Sequence, residues 1–202
     1  MFRDDFSDTQ TGWQPIENAD ATFAYKDGGF RLLIKTPRLH GSALVPPSTA
    51  KAPYESTHDQ FVSVDTKHMA GAANEGLYGV ACRATDNLNH YYLWIASNGS
   101  FGIDKYREGR DTLVLANPKG VERSESVRRG LGAMNRLRAE CVGGMGSEPT
   151  RLTLYVNGHK IAEATDEDDL LNESNGSVGL GIDAGKLPPT DVTFDNFVLG
   201  KP

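Results

Sequence analysis

The chain has 202 residues, with 21 Lys and Arg against 27 Asp and Glu and a net charge of −6. That balance gives no basic field to displace the counterions of a nucleic acid or to hold an anionic membrane surface. No apolar run approaches the roughly 20 residues that span a bilayer, so no membrane insertion of this segment is expected.

Both ends read as strands. The chain opens Phe2-Arg3-Asp4-Asp5-Phe6-Ser7-Asp8, then Gly12-Trp13, and closes Val192-Thr193-Phe194-Asp195-Asn196-Phe197-Val198-Leu199. Chain ends of this kind commonly pair in one sheet. Between them, short alternating runs are followed by Gly, Asn, Asp or Pro clusters. Phe23 to Lys26 turns at Asp27-Gly28-Gly29 into Phe30 to Lys35. Residues 36–58 are rich in Pro, Ser and Thr and read as a long loop. Strands follow at Phe61 to Thr66, around Cys82 and at Tyr91 to Ala96. Asn98-Gly99 then makes a hairpin into Phe101 to Tyr106. Residues 107–134 are polar, with one short strand at Thr112 to Leu115. The last strands are the one around Cys141, Arg151 to Val156, His159 to Ala164, Gly176 to Ile182 and the closing run. Asp166 to Leu171 reads as one helical turn. With no repeat and no linker, residues 1–202 read as one all-β domain, a two-sheet antiparallel β-sandwich.

Cys82 and Cys141 lie on strand-like runs. A bridge between them, expected on neighbouring strands with Cα atoms about 5.5 Å apart, would stabilise by roughly 4 kcal/mol in the chain-entropy model. The alternative is two buried thiols. The even count favours the bridge, which implies an oxidising compartment and an extracellular or cell-surface location. Met1-Phe2-Arg3-Asp4-Asp5 runs into polar residues without a signal pattern. That leaves a cytoplasmic protein or an ectodomain or mature fragment, and the expected bridge favours the second.

In this order of elements the sequence resembles the concanavalin A-like lectin/glucanase jelly rolls. More narrowly, it resembles bacterial extracellular laminin G-like and keto-disaccharide-hydrolase-like domains. The matching residues are Asp4-Asp5-Phe6-Ser7-Asp8 with Gly12-Trp13, Tyr78-Gly79-Val80 with Arg83, and Asp86-Asn87 with Tyr91-Tyr92-Leu93-Trp94. They continue through Asn135-Arg136-Leu137-Arg138, Leu154-Tyr155-Val156-Asn157-Gly158 and Phe194-Asp195-Asn196-Phe197. The resemblance implies a jelly roll and leaves function open, because the fold hosts lectins, glycosidases and adhesion modules.

Jelly-roll glucanases place paired carboxylates in a Glu-x-Asp-x-x-Glu strand, since residues two apart share a face and a retaining pair needs roughly 5 Å. This sequence lacks the pattern, and no catalytic residue is assigned. The five histidines show no metal spacing, and Asp166-Glu167-Asp168-Asp169 reads as a solvated face. For sugar binding, alternation puts Tyr78, Val80, Cys82, Tyr91, Leu93, Ile95, Leu137, Ala139 and Cys141 inside. The opposite face then carries Arg83, Tyr92, Trp94, Arg138 and Glu140, joined by Asp104 and Tyr106. These seven are the expected ligand-binding residues: exposed rings to stack on a sugar, with charged groups for its hydroxyls. The competing reading is that loops bury Trp94 in a second small core.

The resemblance also implies a structural Ca²⁺ where first and last strands meet. The family's ligands map to Asp5, the Gly28 carbonyl and Asp195, with Asp5 one methylene shorter than the family's Glu. Asn98, Asn172 and Asn175 match the glycosylation acceptor pattern, with the hairpin turn the preferred reading at Asn98. The expected function is a non-catalytic extracellular module binding carbohydrate or a cell-surface glycan. The alternatives are a jelly-roll glycan hydrolase and a structural or adhesion module.

Overall fold

The computed structural model describes residues 1–45, 59–86, 88–108, 111–117, 121–144, 148–167 and 176–202. Strands are numbered in chain order. Six make one sheet, in the order β10 (Asp111–Ala116), β9 (Phe101–Arg107), β8 (Asn89–Ala96), β7 (Gly76–Asp86), β14 (Ser177–Ala184) and β5 (Leu39–Leu44). The other runs β13 (His159–Asp166), β12 (Thr150–Val156), β11 (Met134–Gly143), β6 (Gln60–Ala70), β15 (Thr190–Gly200), β4 (Gly29–Ile34), β3 (Ala21–Lys26) and β2 (Ile16–Glu17). β1 (Phe2–Asp4) also joins this second sheet by pairing with β15. The pairings among the described strands are antiparallel, and the fold is an all-β, two-sheet sandwich of the jelly-roll kind.

The core follows the period-two pattern. Leu32, Ile34, Val62, Val64, Leu137, Ala139, Cys141 and Phe194 point inward from the larger sheet. Tyr78, Val80, Cys82, Tyr91, Leu93, Ile95 and Leu180 meet them from the smaller one. Burying such side chains contributes about 1.5–3 kcal/mol each before the entropy of ordering the chain is counted.

The two chain ends do pair, with Phe2 opposite Leu199 and Asp4 opposite Phe197. The residues that carry the family resemblance here serve packing. Phe6, Trp13, Phe30 and Phe197 form a cluster of edge-on and stacked rings. Buried Asp4 fixes it, accepting from the Trp13 indole at 2.9 Å and from the Phe6 backbone N–H at 2.8 Å.

Cys82 and Cys141 are bridged, with Cα atoms 6.7 Å apart. They do not lie on neighbouring strands as expected. Cys82 is on β7 of the smaller sheet and Cys141 on β11 of the larger, so the bridge ties the two layers through the core. Alternation placed both residues inward but could not say which sheet each belonged to.

Arg83 corrects another expectation. Its φ of 52° marks a bulge, where the pairing of β7 with β8 slips between Cys82 and Asp86. The slip breaks the period, and Arg83 turns inward, fully buried, donating to the Gly143 carbonyl at 2.5 Å. Near it lies a buried ionic group. Lys105 donates to Asp166 at 2.6 Å, the Tyr91 hydroxyl donates to the same oxygen at 2.7 Å, and the Lys105 ammonium stands 5.7 Å from the Tyr91 ring centre.

Two loop readings also change. β5 lies within 36–58, where a loop was expected; its sequence Leu-His-Gly-Ser-Ala-Leu has too few strong β formers to stand out. Residues 46–58 lie outside the described residues. Asp166 ends β13, and the helical turn expected to Leu171 falls mostly outside the described residues.

Candidate functional site: the outer face of the six-stranded sheet

With Tyr91, Leu93 and Ile95 in the core, β8 presents His90, Tyr92 and Trp94 to the opposite face. The register sets their neighbours. Trp94 lies between Gly79 of β7 and Gly102 of β9, and Tyr92 between Ala81 and Asp104. His90 pairs with Tyr106, and across β14 Asp183 pairs with His40 of β5.

The rings lie down on the sheet. A Cβ at residue 102 would come within 2.4 Å of the Trp94 ring, and one at 181 within 2.4 Å of the Tyr92 ring. Glycine at these two positions gives the indole and the phenol flat beds. The consequence corrects the expectation of projecting rings: Tyr92 is 0% exposed, Trp94 5% and Tyr106 9%. Together with Leu77 they form a small apolar layer of their own on this face.

Polar groups crowd around that layer. The Trp94 indole N–H donates to Asp104 Oδ2 at 2.8 Å. The Tyr106 hydroxyl meets Asp183 at 3.4 Å. His40 and His90 approach Nε2 to Nε2 at 3.2 Å, and each stacks on the Tyr106 ring, with centroids 4.3 and 5.0 Å away. His40 and Asp183 come from one corner of the sheet, His90 and Tyr106 from the opposite one. Sheet twist brings the two corners together above Tyr92.

This packing is electrostatically costly. Burial pushes the Asp104 carboxyl up to about 6; Asp183 adds to the rise and the Trp94 N–H opposes it. Burial raises Asp183 to about 6 as well, against the Tyr106 hydrogen bond. Burial drives His40 down to about 3, helped by His90, and His90 down to about 4. Both imidazoles are therefore neutral at pH 7. Tyr92 Oη, Asp104 Oδ1, His40 Nδ1 and His90 Nδ1 are buried without a hydrogen-bond partner among the described residues. Buried polar atoms left unpaired cost about 1–3 kcal/mol each.

Beside this pocket the face opens into a cleft of about 540 Å³. Trp94, Leu77 and Asp104 contribute to it, with Asn98, Val121 and Arg123 around them. The wall from 121 to 124 is held by Asn117, which donates to the Phe101 carbonyl at 2.7 Å and accepts from the Glu122 N–H at 3.0 Å. The Ser100–Arg123 bridge adds to it.

Of the seven expected binding residues, the structure brings together Tyr92, Trp94, Asp104 and Tyr106. It places Arg83 inside the sandwich. Arg138 and Glu140 lie on the outer face of the larger sheet, where they pair at 2.7 Å and Arg138 stacks on Phe61 at 4.0 Å. Three residues of this face were missed in sequence. His90 sits two positions before Tyr92, so the same alternation carries it. His40 and Asp183 have no such signal, because their strands were read as loop or ended early.

For calcium, Asp5 follows β1, Asp195 lies in β15, and Gly28 turns β3 into β4, whose Phe30 pairs with Phe194. All three thus belong to segments on or beside β15. One oxygen of each carboxylate is engaged locally: Asp5 accepts from Ser7, and Asp195 from the Asn196 N–H. Among the described residues no cluster of three His, Cys, Asp or Glu is poised for a metal. Asn98 accepts from the Ser100 N–H within its turn, and Asn172 and Asn175 lie outside the described residues.

No protein-family model and no curated protein sequence matches the chain. Solved structures do match its fold. The carbohydrate binding module CBM66 from Bacillus subtilis superposes with a TM-score of 0.64 at 16% identity, over 95% of this chain and 96% of that one. A protein of unknown function with a galectin-like fold, also from Bacillus subtilis, gives 0.62 at 12% identity, over 100% and 95%. The GH43 protein BlXynB from Bacillus licheniformis gives 0.61 at 15% identity, over 99% of this chain but 39% of that one. At these identities the likeness establishes the fold.

Proposed function

We propose that this chain is an extracellular, non-catalytic carbohydrate-binding module whose ligand occupies the cleft over Trp94. The observation that carries the reading is the cleft itself. An indole edge, the Asp104 carboxylate and a rim of amide and guanidinium groups meet in one open space. A sugar ring offers an apolar C–H face to an indole and hydroxyls to carboxylates and amides, so this combination suits it. The carbohydrate binding module with the same fold supports the ligand class, and the disulfide supports an oxidising compartment. A glycan array probed with the disulfide-bonded protein tests the reading. Retention on a defined glycan, lost in Trp94→Ala with an unchanged circular dichroism spectrum, supports it. Binding to no glycan overturns it.

One observation favours a second reading, a glycan-active hydrolase. Asp104 and Asp183 share this face, and burial holds both carboxyls near 6, a range suited to proton transfer. Release of new reducing ends from a bound glycan, lost in Asp183→Asn, would establish that reading over the first.

A further inference from the structure

We infer that the ligand of this face is a neutral, hydroxyl-rich sugar and not a uronate, and that Asp104 is the group that reads its hydroxyls; the inference rests on the binding reading above. Sequence alternation had placed two arginines beside the rings, a combination suited to polyols or acidic sugars. The structure removes both. Arg83 is buried between the sheets and Arg138 belongs to the other sheet. What the face offers instead is acidic or neutral. Asp104 stands on β9, Asp183 on β14, the imidazoles of His40 and His90 on β5 and β8, and the phenols of Tyr92 and Tyr106 on β8 and β9. From β10, Val114 is the residue opposite Asp104. Arg123, at the rim of the cleft, is the one cation among its described lining residues.

A uronate carboxylate brought against the indole would meet Asp104, with the charge of Asp183 behind it, and like charges in a poorly solvated site repel. A neutral ring meets no such penalty. Its hydroxyls are donors, and the face offers acceptors: Asp104 Oδ1 and one imidazole Nδ1, since in the neutral His40–His90 pair one ring donates its Nε2–H and keeps a lone pair on Nδ1 while the other carries its proton there. Asp104 is the member of this set that also lines the open cleft, with its other oxygen already fixed by the Trp94 N–H at 2.8 Å. The indole and the carboxylate are thereby locked in one arrangement before a ligand arrives, which limits the ordering cost of binding.

The ionised carboxylate is the better acceptor. Asp104 and Asp183 lose their protons near pH 6 while the imidazoles stay neutral, so affinity for a neutral sugar should rise with pH through that range.

The test is isothermal titration of neutral oligosaccharides (xylo-, cello-, malto- and fructo-oligosaccharides) against acidic ones (oligoalginate and oligogalacturonate). It is run at about pH 5 and about pH 7.5, on either side of the carboxyl titration. The expected result is binding of a neutral series that is several-fold tighter at the higher pH. Asp104→Asn should weaken it by about tenfold or more and flatten its pH dependence, with the melting temperature measured as a control for folding. Preference for an acidic series, or wild-type affinity that is flat or falls with pH, overturns the inference and leaves the binding reading standing. Binding of neither series overturns both.

Discussion

The Trp94 indole donates to the Asp104 carboxylate at 2.8 Å across the β8–β9 pair, while the indole ring lies against Gly102 of the same strand as Asp104. One strand thus supplies both the bed for the ring and the acceptor for its N–H. The same contact couples the apolar floor of the cleft to its titrating group, whose rise to about 6 comes from burial and is opposed by the indole N–H.

The first prediction concerns stability against pH. Asp104 and Asp183 are raised from 3.8 to about 6 in the folded state, so the stability they contribute is present at low pH and lost as pH rises toward 6. His40 and His90 are depressed from 6.5 to about 3 and about 4, so their contribution is present at neutral pH and lost as pH falls. Between about pH 4 and 6 the two effects oppose each other and the wild type should be nearly flat. Asp104→Asn removes one acid and leaves the histidines dominant, so urea unfolding should show stability falling by on the order of 2 kcal/mol as pH drops from about 6 to about 4. A variant as flat as the wild type would show that the four groups do not titrate as described.

A second prediction follows from the bridge between the layers. Thiol titration of denatured, unreduced protein should find none, and reduction should cost about 4 kcal/mol in the chain-entropy model, for cysteines 59 positions apart. Two free thiols would remove the main support for an extracellular origin.

The buried ion pair gives the third. Lys105 is fully enclosed and holds Asp166, which also takes the Tyr91 hydroxyl. Lys105→Met breaks that buried pair by removing one partner, at a cost of about 3–5 kcal/mol. Chemical denaturation measures it, and a loss below about 1 kcal/mol, the scale of a surface pair, would contradict the account.

Calcium at Asp5, Gly28 and Asp195 is a proposal that rests on the family resemblance. If the ion binds there, chelation lowers the melting temperature by mass action, and Asp195→Ala abolishes the difference. A melting curve indifferent to chelator leaves Asp5 and Asp195 as the local turn acceptors seen with Ser7 and Asn196.

Much of the sandwich was legible in sequence because alternation is a direct record of which side of a strand meets the core. Tyr78, Val80, Cys82, Tyr91, Leu93 and Ile95 were assigned inward on that ground and are all in the core. Alternation records nothing about which sheet a strand joins. Arg138 and Trp94 both point away from the core, yet they lie on opposite outer faces of the molecule. It also fails at a bulge, where one extra residue reverses the sense, as at Arg83. The burial of Tyr92 was illegible because it depends on Gly181, two strands away in space and 89 positions away in sequence. The meeting of His40 with His90 depends on the twist of the whole sheet.

A sugar seated over Trp94 would change the surroundings of that indole. Its intrinsic fluorescence should respond to a bound glycan, and Trp13, enclosed in the ring cluster around Phe6 and Phe197, should not. With Trp13 as the silent internal reference, the account predicts a saturable fluorescence change on titrating the glycan selected by the array. Trp94→Phe should abolish that change, and Trp13→Phe should retain it. A glycan that binds by calorimetry while leaving the Trp94 emission untouched would place the ligand elsewhere on the molecule and contradict the account.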